Sequence, residues 1–501
     1  MPVMIVAALL LSLLLGPAEG LAQTPAQAPP QPPAQPQATP PLTMGDVVVA
    51  GSLRTRAEAW NWFEASADDR YVYPGSIARF GLSQKKARFD WQIEFAVPIL
   101  LGLPDDAIAP GSQGQLGLGA TYFAANNGRT NVAELFVKQA SVRFTGLGGI
   151  AGHSFKAGRM EFIDGTEVMP RNATLAAVKR DRIAHRLLGN FAFSHVGRSF
   201  DGAQWALAGR TLNVTAFAGR PTRGVFVVDG WSGLDINVLY GALTGQTGTG
   251  TSAGEWRVFG LGYFDRRDGV LKTDNRPAAA RAADTEPVDL GTFGGHYLRT
   301  VPTAAGAVDL LAWGAVQIGA WGVLDQRAGT FAVEAGWQPQ ALEAIEPWFR
   351  GGYNYGSGDG NPSDGRHGTF FQVLPTPRIY ARFPFFNMMN TGDAFGEAIF
   401  RPSRSLTLRS DVHAIRLASP DDLWYAGGGA FQSSTFGFSG RPSSARTGLA
   451  TLYDVSGDYR VNGYTSLTVY YGRAAGRSVT DAIYARGADA DFGYLELTFR
   501  F

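Results

Sequence analysis

The sequence predicts an all-β protein: a transmembrane antiparallel β-barrel of about 18 strands, with short periplasmic turns and long extracellular loops. Three observations predict it. Apolar and polar residues alternate with a period of two from residue 47 onward. The connections between alternating runs are long and short by turns. The last run ends on the final residue, Phe501. Composition agrees. Charged residues make up 17% of the 501 residues, below the roughly 25% of ordinary soluble domains. Aromatics make up 12%, with 64 Gly. The mean hydropathy of −0.06 is too low for a bundle of membrane helices. Such values suit a wall with one lipid-facing and one water-facing residue in every pair.

The chain opens on an apolar run from Val3 to Leu15, followed by the small residues Ala18, Gly20 and Ala22. This reads as a signal peptide over 1–22, although no Lys or Arg precedes the run. Residues 23–46 are rich in Pro, Gln and Ala and read as an extended periplasmic leader. The barrel domain is expected over 47–501. In its first strand, Leu53, Thr55, Ala57 and Ala59 alternate with Arg54, Arg56, Glu58 and Trp60. Further on, Phe89, Trp91, Ile93, Phe95 and Val97 alternate with Arg88, Asp90, Gln92 and Glu94. Side chains of a strand point to opposite faces, so each run has one apolar and one polar side.

The expected strands are 49–62, 76–83, 87–98, 132–144 and 154–160, then 201–208, 212–220, 234–242, 255–264 and 291–300. The series continues with 307–318, 329–338, 347–355, 392–401, 405–417, 449–458, 464–472 and 490–501. Short turns fall at 84–86, 209–210, 402–404 and 460–463. Long connections fall at 101–130, 161–200, 266–290, 356–391 and 419–448. The connection at 243–254 is long for a turn. The final strand places Gly493, Leu495, Leu497, Phe499 and Phe501 on one face. It resembles the C-terminal signal that barrel assembly machinery reads. The trailing pattern implies the outer membrane of a Gram-negative-type cell. A closed barrel also removes strand edges that lipid could not solvate.

Several chemistries are excluded. There is no Cys, so no disulfide, thiolate metal site or Cys nucleophile. Net charge is +1, giving no reason to expect nucleic acid. Ser410 falls on the opposite face from Asp411 and His413, so these three form no hydrolase triad. The remaining His residues show no metal-ligand spacing, and GDGNPSDG at 358–365 lacks the spaced acids and terminal Glu of an EF-hand. No enzymatic activity, cofactor or metal is expected. Trp60, Trp62, Trp91, Trp337, Trp348 and Trp424 read as interfacial anchors.

Of the 44 basic residues all but six are Arg, the better side chain for fixed contact with carboxylates. Strand phase places Arg54, Arg56, Arg88, Arg143, Arg350 and Arg409 on the lumen side. Asp90, Glu94, Glu334 and Asp411 are the acids that would hold them. The stretch after the fifth strand carries Arg159, Asp164, Glu167, Lys179, Arg180, Arg182, Arg186, Arg198 and Asp201. A loop of this length can fold inward and narrow the pore.

The stretches GRMEFIDGTEVMP, KRDRIAHRLLG, GRSFDG, LPTPRIYA and SDVHAIRLASPDDLWY, the last followed by a Gly-rich segment, carry a resemblance. From about Arg54 to Phe501 the chain resembles the alginate export family of outer-membrane barrels. The resemblance implies a basic constriction that passes acidic polysaccharide, and a pore role for Arg159, Arg182, Arg198 and Asp201. The function expected is a channel for anionic solutes, embedded in outer-membrane lipid and monomeric rather than trimeric. The alternatives are a general nutrient porin with mild anion preference and a non-conducting structural barrel.

Overall fold

The computed structural model describes residues 42–501; the signal peptide and the leader up to residue 41 lie outside the described residues. The alternating runs pair into one closed antiparallel barrel of 18 strands. In order these are β1 Val47–Asn61, β2 Arg70–Lys85, β3 Phe89–Leu100, β4 Phe136–Thr145, β5 His153–Met160 and β6 Phe200–Ala208. They continue as β7 Leu212–Pro221, β8 Ile236–Thr247, β9 Gly254–Asp265, β10 Val288–Thr303, β11 Gly306–Trp321 and β12 Leu324–Pro339. The last six are β13 Trp348–Gly356, β14 Thr391–Ser403, β15 Leu406–Arg416, β16 Gly448–Arg460, β17 Thr465–Gly476 and β18 Asp489–Arg500. Every expected strand overlaps one of them.

Each strand pairs with its neighbours in sequence, and β18 closes against β1 from Ser52↔Arg500 to Asn61↔Asp491. Phe501 extends that seam. Its N–H donates to the Gly51 carbonyl at 3.0 Å, and its own carbonyl accepts from the Gly51 N–H at 3.1 Å. Outward side chains such as Leu53, Phe80, Phe293, Ile318, Leu497 and Phe499 are exposed. A soluble sandwich would bury that apolar face; here it meets lipid.

The extracellular connections are L1 (62–69), L2 (101–135), L3 (161–199), L4 (222–235), L5 (266–287), L6 (322–323), L7 (357–390), L8 (417–447) and L9 (477–488). L6 breaks the expected pattern, because β11 and β12 run beyond their predicted ends. Gly322, at φ 59°, takes the left-handed conformation that a two-residue turn requires. Beside this turn Arg366–His367 of L7 adds in parallel to Asp325 and Gln326 of β12.

L2, L3 and L7 do not stand in solvent. Leu118 and Tyr122 of L2, Ile183 and Leu188 of L3, and Phe371 and Phe383 of L7 are buried with inward wall residues in two clusters. This packing corrects the reading of four Trp residues as interfacial anchors. Trp60 points inward and stacks on Phe492 at 3.9 Å. Trp348 donates its Nε1–H to Asp309 at 2.9 Å. Trp62 and Trp424 are buried among the loops. Trp337 keeps an outward, exposed position.

Candidate functional site

L3 supplies one side of the lumen filling. Asn172 caps a short helix, Ala173–Val178, by accepting from the Leu175 N–H at 3.0 Å. A π-helical turn, Lys179–Ile183, follows. The apolar side chains Leu175, Val178, Ile183 and Leu187 face the inner wall, which leaves the basic residues of this segment to find carboxylates on the same wall. Arg182 donates to both oxygens of Glu334 on β12, at 2.8 and 3.0 Å. Arg186 reaches the same carboxylate at 3.2 Å. Arg350 of β13 reaches it at 3.3 Å and also pairs with Asp309 of β11. Lys179 pairs with Glu255 of β9 at 2.5 Å. These groups are buried. Breaking such a network by removing one partner strands the others without solvent.

Opposite, the wall is wet. Arg409 on β15, Asp458 on β16, Glu496 on β18, Arg54 on β1, and Arg79 and Glu94 on β2 and β3 have side chains 15–47% exposed. They face the lumen, and the L3 segment Ala192–Ser194 forms a ceiling over them; its backbone carbonyls accept from Arg54, at 2.6 Å for Ala192. Arg56 lies just above. It donates to Glu496 at 2.8 and 2.6 Å and stacks on Phe193 at 4.2 Å.

Above this ceiling is a cavity of about 350 Å³ among the extracellular loops, lined in part by Trp62, Phe226, Arg378, Phe385, Trp424 and Arg441. Arg378 lies over the Phe193 ring, 5.9 Å from its centre, and donates to the Phe383 carbonyl at 3.0 Å. Arg441 donates to the Gln113 carbonyl at 3.1 Å and stacks on Trp424 at 4.9 Å. Neither has a carboxylate partner among the described residues, and the Nε–H of each is unpaired. A buried cation left without a counter-charge is costly.

The residues expected to line the pore therefore separate into groups. Arg54, Arg56, Arg143, Arg350 and Arg409 are on the lumen side. Arg143 pairs with Asp90 at 2.7 Å near the periplasmic end. Arg182 is in the lumen but buried on Glu334. Arg198 is buried and donates only to carbonyls, those of Gly189, Leu374, Gly428 and Ala430, so it ties L3 to L7 and L8. Two placements and one strand assignment need correction. Arg159 and Asp201 form a bidentate pair at 2.7 and 2.8 Å on the outward-facing phase, because their neighbours Met160 and Phe200 take the inner face. Arg88 is not on a strand; it is exposed in the β2–β3 turn.

Sequence reasoning did not single out Arg79, Arg378, Arg382 and Arg441 as lumen residues. The alternation of β2 could have supplied Arg79. The others sit in irregular loops, where no periodicity says which way a side chain points.

The architecture is shared with solved outer-membrane channels. OccAB2 of Acinetobacter baumannii superposes with a TM-score of 0.57 at 7% identity, covering 91% of this chain and 98% of that one. OccK9 (OpdG) of Pseudomonas aeruginosa gives 0.54 at 10% identity, over 91% and 98%. OpdK of Pseudomonas aeruginosa, solved with vanillate, gives 0.51 at 9% identity, over 90% and 98%. These likenesses are of fold. No curated protein matches the sequence. The alginate export model matches residues 121–482, most of the barrel and all of L3, L7 and L8. This chain is a porin-like outer-membrane barrel that belongs to the alginate export family.

Proposed function

We propose that this barrel is a channel for anionic solutes, and that acidic oligo- or polysaccharide such as alginate is the class it carries. The observation that carries the reading is a set of guanidiniums that make no hydrogen bond to a carboxylate, although Arg54 comes within 3.6 Å of Glu496. Arg378 and Arg441 line the outer cavity, and Arg54 and Arg382 stand below it. Arg54 is held mainly by carbonyls, and Arg382 is 3.9 Å from its nearest acid, Asp458. Passage would follow a gradient, with Arg replacing part of the hydration of each carboxylate. Family membership supports the substrate class. Arg159, Asp201 and Arg88 have no part in this reading.

The loops that meet at Phe193 favour a second reading, a barrel that does not conduct until L3 or L7 moves. Planar-bilayer recording separates the two. The channel reading expects discrete conductance steps, reduced by short uronate oligomers added to either side. Silence under all voltages, with a folded barrel in the membrane, would support the closed reading instead.

A further inference from the structure

Adjacent strands on the wet side bring together three inward groups that the channel reading does not use. Asp411 of β15 pairs in register with Asp454 of β16, and His413 follows two residues on. One ligand atom from each of Asp411, His413 and Asp454 lies within 4.8 Å of the others. The residues are 8%, 1% and 4% exposed, respectively. Asp411 Oδ1, His413 Nε2 and Asp454 Oδ2 all lack a hydrogen-bond partner. Neither aspartate has an ion pair with Lys or Arg among the described residues: the nearby Arg409 is turned to Glu397 at 3.2 Å and to Asp181 at 3.8 Å. Buried polar atoms are ordinarily satisfied. Three that converge without partners point to something that joins them.

The surroundings orient the group. His413 Nδ1 is 3.0–3.1 Å from both oxygens of Asp393 on β14. That carboxylate holds the proton on Nδ1 and leaves the Nε2 lone pair free, the arrangement that carries metal-binding imidazoles. Tyr470 of β17 donates to Asp454 Oδ1 at 2.6 Å, fixing the carboxylate so that Oδ2 is the free oxygen.

We propose that Asp411, His413 and Asp454 bind one divalent transition-metal ion of the Zn²⁺ or Mn²⁺ type. One imidazole and two carboxylates give three protein ligands and leave a position for water. The nitrogen ligand selects this class over Ca²⁺ and Mg²⁺, which take oxygen. Ligand atoms around a tetrahedral ion lie about 3.3 Å apart, so closing the site draws these side chains together by roughly an ångström. The ion would cross-link β15 to β16 and, through Asp393, brace β14. It would also cancel two of the three formal negative charges in the Asp393, Asp411 and Asp454 patch, in a wall proposed to pass anions. Sequence spacing hid the site because Asp454 arrives from a different strand.

The test uses the mature barrel extracted from outer membranes in detergent, stripped with EDTA and titrated with ZnCl₂ by calorimetry, with bound metal counted by mass spectrometry. The expected result is saturable binding of about one ion per chain. His413→Gln and Asp454→Asn should each weaken it at least about 100-fold, and Asp393→Asn by about 10–100-fold, the usual effect of losing an orienting partner. Ser410→Ala, on the outward face, should leave it unchanged. Heat-modifiable gel mobility shows that each variant is a folded barrel. Absence of saturable Zn²⁺ binding in the wild type would overturn the proposal. So would equal binding in His413→Gln, or tighter binding of CaCl₂ than of ZnCl₂. Whether the barrel conducts at all is read in the bilayer and not by these titrations, so the site and the channel reading fail separately.

Discussion

The two sides of the lumen use the same residue types for different ends. On β9–β13 the charged groups Glu255, Asp309, Glu334 and Arg350 have side chains no more than 2% exposed, because L3 covers them. On β15–β18 and β1–β3 the pairs formed by Arg54, Arg79, Arg409, Glu94 and Glu496 keep contact with water below the loops. An Arg beside a carboxylate is a clasp in the first setting. In the second, high dielectric and salt weaken the pair, and the guanidinium stays available to a passing anion. Counting arginines along strands does not separate these roles; the cover over them does.

Breaking the sealed side should have the largest effect. Glu334→Ala leaves Arg182, Arg186 and Arg350 buried around a missing carboxylate, and removing one partner of such a cluster costs about 3–5 kcal/mol. Thermal unfolding should shift down, and bilayer recordings should show larger or noisier openings as L3 loses its anchor. Arg182→Glu should resemble it, since two carboxylates would then face each other without solvent. Its main readout is lost stability, and a folded, stable variant with altered selectivity alone would contradict the assignment of Arg182 as a clasp.

On the wet side the balance reverses. Arg409→Gln should change unfolding by under about 1 kcal/mol, the usual scale for partly exposed pairs, and Arg54→Gln by more, because it also leaves the L3 carbonyls of Ala192 and Ser194 without their donor; both should reduce preference for anions. Arg378→Gln should act from the outer cavity in the same direction, measured as weaker block by uronate oligomers.

The most local effect is a pH dependence in the outer loops. Asp422 of L8 accepts from the Asp359 N–H at 2.9 Å and from the Thr369 hydroxyl at 2.5 Å, clasping L8 to L7. Burial pushes its carboxyl up to about 6. The folded state therefore holds the proton more tightly than the unfolded chain, whose carboxyl titrates near 3.8. Stability from this group is full below pH 3.8, declines as pH rises, and is lost above about 6. Hydrogen exchange in L7 and L8, corrected for intrinsic rates, should be slower at pH 4 than at pH 7, and Asp422→Asn should remove the difference.

The wall was legible in the sequence because period-two alternation has one physical cause, a face in lipid and a face away from it. All the strands followed, and Phe501 closed the seam as its pattern implied. Strand phase also placed Arg54, Arg56, Arg143, Arg350 and Arg409 inward. Loops carry no such period. Arg159 and Asp201 were drawn toward the pore by the length of the loop between them and by resemblance, while one residue either way Met160 and Phe200 hold the inner face. The burial of Arg182 on Glu334 depends on a contact between positions far apart in the chain, which local pattern cannot supply. The inward turn of Trp60 and Trp348 had a local signal, since they share the phase of Arg56 and Arg350, but an aromatic near a strand end reads equally well as an anchor.

The claim that the water-exposed arginines select the solute is tested most directly by the reversal potential of the open channel across a KCl gradient. The account predicts chloride preference in the wild type, reduced in Arg54→Gln/Arg409→Gln without loss of conductance. Cation preference in the wild type, or an unchanged reversal potential in the double variant, would contradict it.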